Sequence, residues 1–330
     1  MAACGICASD LHILGGEIAV PHLPLTLGHE AAGIVHTVGD GVDGVAPGDR
    51  VFIDPMIVCG RCAACRAGRP HLCRGREIVG IHRDGALAEL VAVPAGNLVV
   101  LPPELNLLAA SMIESAATPF HALTARAPAI AGDAVAVIGV GGLGFHAVAI
   151  ARLLGASTVL AVDIRKEALD RALTHGATAA FLAEGDDVAR TIRRATSGGV
   201  AVSLECVGRP ETCVLAADVL RPGGVCVLLG VGRSPLTGPA LETFVARELE
   251  VRGAFAYSRA EIDRLVAIAA AGLLDLGAAV SETYPLADVG DAVASVRDKQ
   301  ASPIRVVVTP GDAAQTDARS RSASQSASSG

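Results

Sequence analysis

The chain has 330 residues, room for about two domains, and its 51% hydrophobic content supplies ample material for buried cores. A net charge of −7 excludes the basic face that a nucleic-acid partner requires, and glycines or charges interrupt every apolar run before it reaches membrane-spanning length. Nine cysteines are too few for a disulfide scaffold in a chain this long, so clustered cysteines point to metal in a reducing compartment.

The opening Met1-Ala2-Ala3-Cys4-Gly5 has no basic region followed by an apolar stretch, so the expected location is the cytoplasm. Up to about residue 120 the chain is rich in Gly, Pro and short β-branched runs such as Gly33-Ile34-Val35 and Arg50-Val51-Phe52-Ile53. That texture predicts short strands and irregular loops instead of helices. Within it, Cys7-Ala8-Ser9-Asp10-Leu11-His12 and Gly28-His29-Glu30 combine a soft and a borderline zinc ligand, Cys7 and His29. Asp10 is placed to accept the second ring N–H of His29. Ser9 and His12 offer a hydroxyl and an imidazole that can carry a proton to solvent. Taken alone, an isolated Cys and His are more often core fillers than ligands.

Cys59, Cys62, Cys65 and Cys73 follow in a C-x2-C-x2-C-x7-C pattern. Four thiolates so close in sequence close a tetrahedron around Zn²⁺ and leave no open position, which makes a structural site. Iron–sulfur clusters use different runs.

From about residue 130 to 255, apolar strand-like runs alternate with helical stretches. The strands are expected at Ala134–Val140, Thr158–Val162, Val200–Val207 and Val225–Val231. The helices are expected at Leu143–Leu154, Lys166–His175, Asp187–Thr196 and Pro210–Leu220. This alternation predicts a parallel sheet covered on both faces. The first strand runs into Gly139-Val140-Gly141-Gly142-Leu143-Gly144. Gly139 permits the tight turn, Gly141 lets a pyrophosphate approach, and Gly144 lets helix and strand pack closely. Gly142 and Leu143 open the helix whose free N–H groups face the phosphates. Asp163 ends the next strand, where a carboxylate accepts ribose hydroxyls and repels a 2′-phosphate, favouring NAD over NADP; Arg165 and Lys166 stand nearby to blunt the preference. The alternative is a glycine turn without a ligand and a helix-capping Asp163.

Together these motifs resemble the zinc-containing medium-chain dehydrogenase family over nearly all of residues 4 to 308. The resemblance implies an α/β protein: a β-rich GroES-like catalytic domain (1–117, resumed at 256–310) and a Rossmann domain with a doubly wound parallel sheet (118–255). A disordered tail is expected at 311–330. By the same resemblance Cys7 and His29 are the first two ligands of a catalytic zinc. Glu114, in Met112-Ile113-Glu114-Ser115, matches the third, and Glu30 matches an acid beside the metal that in part of the family approaches or binds it. Ser9 and His12 match the proton relay, and Arg305 resembles the arginine that reaches the cofactor pyrophosphate. Cys4, Cys206, Cys213 and Cys226 match no ligand position and read as small buried apolar residues. Family members usually carry some thirty or more residues before the Cys7 motif. The expectation is therefore an N-terminally truncated catalytic domain with an open sheet edge beside the Cys7 loop.

The implied protein is a zinc-dependent, NAD-linked alcohol dehydrogenase with two zinc ions per chain. Its substrate is a small alcohol, and a homodimer or homotetramer is expected, with no nucleic-acid or membrane partner. The alternatives are a polyol or amino-alcohol dehydrogenase of the same family and a non-catalytic zinc- and nucleotide-binding relic.

Overall fold

The computed structural model describes residues 1–184, 187–298 and 303–310; the expected tail at 311–330 lies outside the described residues. The chain forms two compact units. The first holds Met1–Glu114 and the described residues from Ile262 on; the second holds Ser115–Glu261.

In the first unit, β1 (Ala3–Ile6) is buried along its whole length and leads into α1 (Ala8–Leu14). This helix corrects the expectation of strands and loops only. Cys7 is its N-cap in extended backbone, and the Cys7 N–H donates to Asp10 Oδ2 at 2.8 Å, so the acid at the third helical position braces the start. Next come β2 (Glu30–Ile34), β3 (Arg50–Ile53) and the short hairpin of β4 (Met56–Ile57) and β5 (Glu77–Ile78). The hairpin encloses α2 (Ala63–Arg66), a single turn in the four-cysteine segment. β6 (Leu98–Val100), α3 (Leu107–Ala110) and the start of α4 (Ile113–His121) follow.

The second unit alternates strand and helix: β7 (Ala134–Ile138), α5 (Gly142–Leu153), β8 (Thr158–Asp163), α6 (Lys166–Thr174), β9 (Ala179–Leu182), α7 (Val188–Ala195), β10 (Val200–Glu205), α8 (Pro210–Asp218), β11 (Leu220–Leu228), α9 (Leu241–Ala246) and β12 (Glu250–Gly253). The sheet order is β12-β11-β10-β7-β8-β9, with every pairing parallel. β7 and β10 are neighbours in space but not in sequence, so the order reverses between them and opens a crevice at their C-terminal ends. β10 is buried at all six positions, its two polar residues Ser203 and Glu205 included. Ala136, Ile138, Leu160, Val162, Val200 and Leu220 belong to the core cluster.

Two strands here escape sequence reading. β9 is half-buried, and β12 (Glu-Val-Arg-Gly) is a largely exposed edge strand that carries two charges. β11 starts at Leu220, ahead of the expected Val225, because a bulge beside Val200 absorbs Pro222-Gly223-Gly224.

α10 (Arg259–Ala270) carries the chain back to the first unit, which adds β13 (Val280–Pro285), α11 (Val289–Asp298) and β14 (Arg305–Thr309). The first unit's main sheet then reads β13-β14-β1-β2-β3-β6. Ile6, Ala292, Val306 and Val308 pack on one side, and Cys4, Ala31, Ile53 and Ala86 form another cluster. β1 is hydrogen-bonded on both flanks, to β14 and to β2. The strand entering the Cys7 motif is therefore not an open edge, contrary to expectation; the outermost strands are β13 and β6. Among the described residues no helix is long and apolar enough to cross a membrane.

Candidate functional site

Strand register assembles the first constellation. Antiparallel pairing sets Gly5 of β1 opposite Glu30 of β2, and a Cβ on Gly5 would collide with Glu30 Oε2. Glycine at that position leaves room for the carboxylate beside the start of α1. Ligand atoms of Cys7, His29 and Glu30 all lie within 4.8 Å of one another. His29 and Glu30 are buried, at 6% and 0% exposure. Ser9 Oγ lies 3.2 Å from His29 Nε2, and the opposite ring atom, Nδ1, faces Asp10 Oδ1 at 3.5 Å. Burial works against a charged His29 ring. Hydrogen bonds and charge from Asp10 and Cys7 outweigh it and raise the pKa well above the ordinary imidazole value.

Glu30 is the most telling residue of this group. Both carboxylate oxygens are buried without a hydrogen bond, and the ion-pair partner is Arg305, whose Nη2 lies 3.2 Å away. Arg305 compensates the buried charge through Oε1, and the carboxylate keeps acceptor capacity toward Cys7 and His29. The oxygen, thiol and imidazole donors gathered here suit a zinc ion with an open position.

Glu114, at the start of α4, is half-buried and lies outside the Cys7–His29–Glu30 group; its charge acts on Arg305. Among the described residues the group within 4.8 Å includes Glu30, which the resemblance matches to an acid beside the metal, and not Glu114, which it matches to the third ligand. Arg305 itself is buried, at 8% exposure, against Glu30. His12, one turn along α1 from Ser9, is exposed, and its Nδ1 lies 2.9 Å from Glu17 Oε2. Glu17 has no motif signature, and sequence reading passed it over.

The four-cysteine segment folds as a separate lobe. Cys62 caps α2 and Cys65 lies within it. The four sulfurs lie within 4.8 Å of one another, with Cys62–Cys65 and Cys59–Cys73 each 3.5 Å apart. Zinc–thiolate bonds of about 2.3 Å give tetrahedral edges of about 3.8 Å, so the four sulfurs fit one ion. The Cys65 backbone N–H pulls the Cys62 thiol down to about 6. Desolvation, then hydrogen bonds with the other thiols, push Cys65 up to about 12. A divalent cation supplies the charge that makes all four thiolates compatible. Of the other cysteines, Cys4 and Cys226 are buried, while Cys206 and Cys213 are half-buried.

In the second unit, Gly139 turns the chain at φ +84°, and a Cβ on Gly144 would collide with the Gly139 carbonyl. A Cβ on Gly141 would meet nothing within 4 Å, so backbone N–H groups at the start of α5 face open space. Gly142 and Leu143 form the first turn of that helix, so this end suits a pyrophosphate. Asp163 Oδ2 accepts the Val140 N–H at 2.9 Å, and Oδ1 accepts the Arg165 N–H at 3.0 Å with Arg165 Nε at 3.4 Å. The acid therefore braces the glycine turn and holds Arg165 beside it.

A β-rich unit with a thiol/imidazole/carboxylate group and a four-thiol lobe, joined to a dinucleotide-type sheet, defines the class of two-domain zinc dehydrogenases. Residues 1–103 match the alcohol dehydrogenase GroES-like domain and residues 142–271 match the zinc-binding dehydrogenase model. The sorbitol dehydrogenase of Bacillus subtilis (strain 168) is 32% identical over 317 residues, 93% of this chain and 88% of that protein. A probable D-xylulose reductase A of Aspergillus fumigatus is 31% identical over 303 residues, 89% of this chain and 84% of that protein. Among solved structures, a putative zinc-binding dehydrogenase from Sinorhizobium meliloti 1021 bound to NADP superposes with a TM-score of 0.87 at 34% identity, covering 94% of this chain and 90% of that one. Alcohol dehydrogenase TADH from Thermus sp. ATN1 gives 0.84 at 33% identity, covering 93% and 90%. The chain belongs to the zinc-containing medium-chain dehydrogenase family, with a GroES-like domain and a Rossmann-type parallel sheet.

Proposed function

We propose that this protein is a zinc-dependent, NAD-linked alcohol dehydrogenase, and that the catalytic ion is held by Cys7, His29 and Glu30. The observation that carries the reading is the gathering of thiol, imidazole and carboxylate donor atoms of Cys7, His29 and Glu30 within 4.8 Å of one another. Zinc bound there supplies Lewis-acid polarisation of an alcohol oxygen, and NAD supplies the hydride acceptor. Asp10 positions the site, because one oxygen fixes the Cys7 N–H and the other faces His29 Nδ1. Arg305 offsets the negative charge of Glu30. Ser9 takes the proton of the substrate hydroxyl. His12, on the same helix and exposed, passes it to water with Glu17 as its hydrogen-bond partner.

NAD is the cofactor expected from Asp163, whose carboxylate stands where ribose hydroxyls are read. Cys59, Cys62, Cys65 and Cys73 hold a second, structural zinc, and the thiolate set favours a reducing compartment such as the cytoplasm. A homodimer or homotetramer is supported by exposed apolar residues of the second unit, Val231, Leu236, Leu241 and Val245, at 64 to 86% exposure.

A second reading, oxidation of a polyol, is favoured by the relatives named for sorbitol and xylulose. Steady-state assays of simple alcohols and polyols with NAD and NADP test both. Turnover with NAD on at least one alcohol or polyol is expected. Absence of turnover in zinc-replete protein across the panel would overturn the assignment.

A further inference from the structure

The crevice between β7 and β10 has two walls. One is the glycine turn after β7. The other is the loop after β10, Cys206–Arg209, which carries none of the nucleotide motif. Glu205, the last residue of β10, is paired in register with Ile138, the residue just before the turn, and with Leu228 of β11. Its side chain is fully buried. Oε1 accepts the Val207 and Gly208 N–H groups at 2.9 Å and the Thr212 hydroxyl at 2.7 Å, while Oε2 lies 3.1 Å from the Gly208 nitrogen. The Thr212 oxygen in turn accepts the Arg209 N–H at 3.3 Å.

This arrangement costs the desolvation of one carboxylate and fixes one short loop. The loop leaves little room for a different path. The Cys206 N–H is held by the Ile138 carbonyl at 2.9 Å, and a Cβ on Gly139 would collide with Val207 Cγ2. Gly208 has φ +84°, and a Cβ on it would come within 2.6 Å of Val231. Cβ atoms on Gly230 or Gly232 would collide with the Gly208 backbone. Val207 therefore rests directly on the turning glycine, and the loop is clamped from its other side by the segment after β11.

We propose that Glu205 is a positioning residue for the nucleotide. It presets Val207 as the apolar wall facing the glycine turn and occupies the loop's own N–H groups. Those N–H groups would otherwise form a second anion-binding nest at the same crevice. With them capped by a carboxylate, the pyrophosphate has one electrostatically favourable seat, the Gly141–Leu143 start of α5. Glu205 thereby sets cofactor affinity and orientation without touching the cofactor. The inference rests on the nucleotide reading of the glycine turn.

The test is NADH binding by fluorescence titration, with melting temperature and zinc content as controls and turnover at saturating cofactor on the best alcohol of the panel. Glu205→Gln is expected to weaken NADH binding about 10-fold or more, because it removes the charge that strengthens the bonds to Oε1 and puts an amide N–H₂ donor where Oε2 faces the Gly208 N–H. It should raise the KM for NAD in step and leave kcat at saturation within about two-fold. Val207→Ala should weaken binding by a few-fold, about the loss of one apolar contact. Combined with Glu205→Gln it should add little, because both act through one wall. Unchanged NADH affinity in folded Glu205→Gln, or additive effects of the two substitutions, would overturn the proposal. Should Glu205→Gln fail to fold, Thr212→Val decides by the same readouts. Its half-buried hydroxyl contributes one bond to Glu205, so about three-fold weaker NADH binding is expected and unchanged affinity contradicts. Wild-type protein that binds neither NADH nor NADPH would remove the nucleotide reading itself, an outcome distinct from variants that bind as well as wild type.

Discussion

The two metal-type groups of the first unit are built in opposite ways. The four-thiol lobe is local: its ligands fall between Cys59 and Cys73, one helical turn sets two of them, and the sulfurs face one another at 3.5 Å. The Cys7–His29–Glu30 group is assembled by strand register from segments more than twenty residues apart. Its His29 and Glu30 are buried, Cys7 is half-buried, and the Glu30 carboxylate is ion-paired to Arg305 without a hydrogen bond. A self-satisfied set of donors contributes to stability, whereas a set with an unmet acceptor and a neighbouring hydroxyl relay is arranged for exchange of a ligand. The proposed separation of structural from chemical roles rests on that difference.

The largest effects should come from breaking each group in turn. Cys7→Ser should lower kcat/KM by more than the roughly 100-fold that loss of an outer-shell partner costs, while the melting temperature stays near that of the wild type. Cys62→Ser should do the reverse: it should lower the melting temperature markedly and leave the surviving folded protein active, because structural zinc contributes directly to folding free energy. A Cys7→Ser enzyme with near-native rate, or a Cys62→Ser protein that melts like wild type, would erase the contrast.

The next effect sharpens the make-up of the open group. Glu30→Gln should reduce zinc occupancy of the catalytic site and activity together. Glu114→Gln should retain the ion and lose less activity. Metal analysis beside steady-state rates checks this, and zinc loss confined to Glu114→Gln would restore the sequence-based choice of ligand. Asp10→Asn should lower zinc affinity or activity by roughly 10- to 100-fold, the usual cost of losing an outer-shell carboxylate, because it unfastens both the Cys7 N–H and the His29 ring. A chelator competition with unchanged affinity and an unchanged rate would contradict that role.

The smallest effect lies in the second unit. Asp163→Ser should erode the NAD-over-NADP preference by about 10-fold, the scale of one charged hydrogen-bonding partner, with Arg165 left free to meet a 2′-phosphate. The ratio of kcat/KM values for the two cofactors before and after is the readout, and an unchanged ratio would place cofactor choice elsewhere.

The sequence-legible parts share one property: their chemistry is contiguous. The cysteine spacing, the Gly139–Gly144 turn and the strands β7, β8 and β10 are each set by near neighbours, so periodicity and spacing report them. The parts that escaped depend on tertiary partners. Helix α1 forms over Ala8–Leu14 because Asp10 braces Cys7, a bond that no periodicity announces. Edge strand β12 is charged and short, and reads as a loop until β11 pairs with it. Glu30 enters the Cys7–His29 group through the register of β1 on β2, which places it opposite Gly5. Glu205 lies inside the run Val200–Val207 expected as one strand, whereas β10 ends at Glu205 and the following loop folds back onto its carboxylate.

The division of labour between the two metal groups is tested most directly by zinc content per chain, measured by elemental analysis on wild-type and Cys7→Ser protein at matched folding. The account predicts two zinc ions in the wild type and one in Cys7→Ser, with the melting temperature held and turnover lost. Two ions retained in an inactive Cys7→Ser protein, or a single ion in fully active wild type, would contradict it.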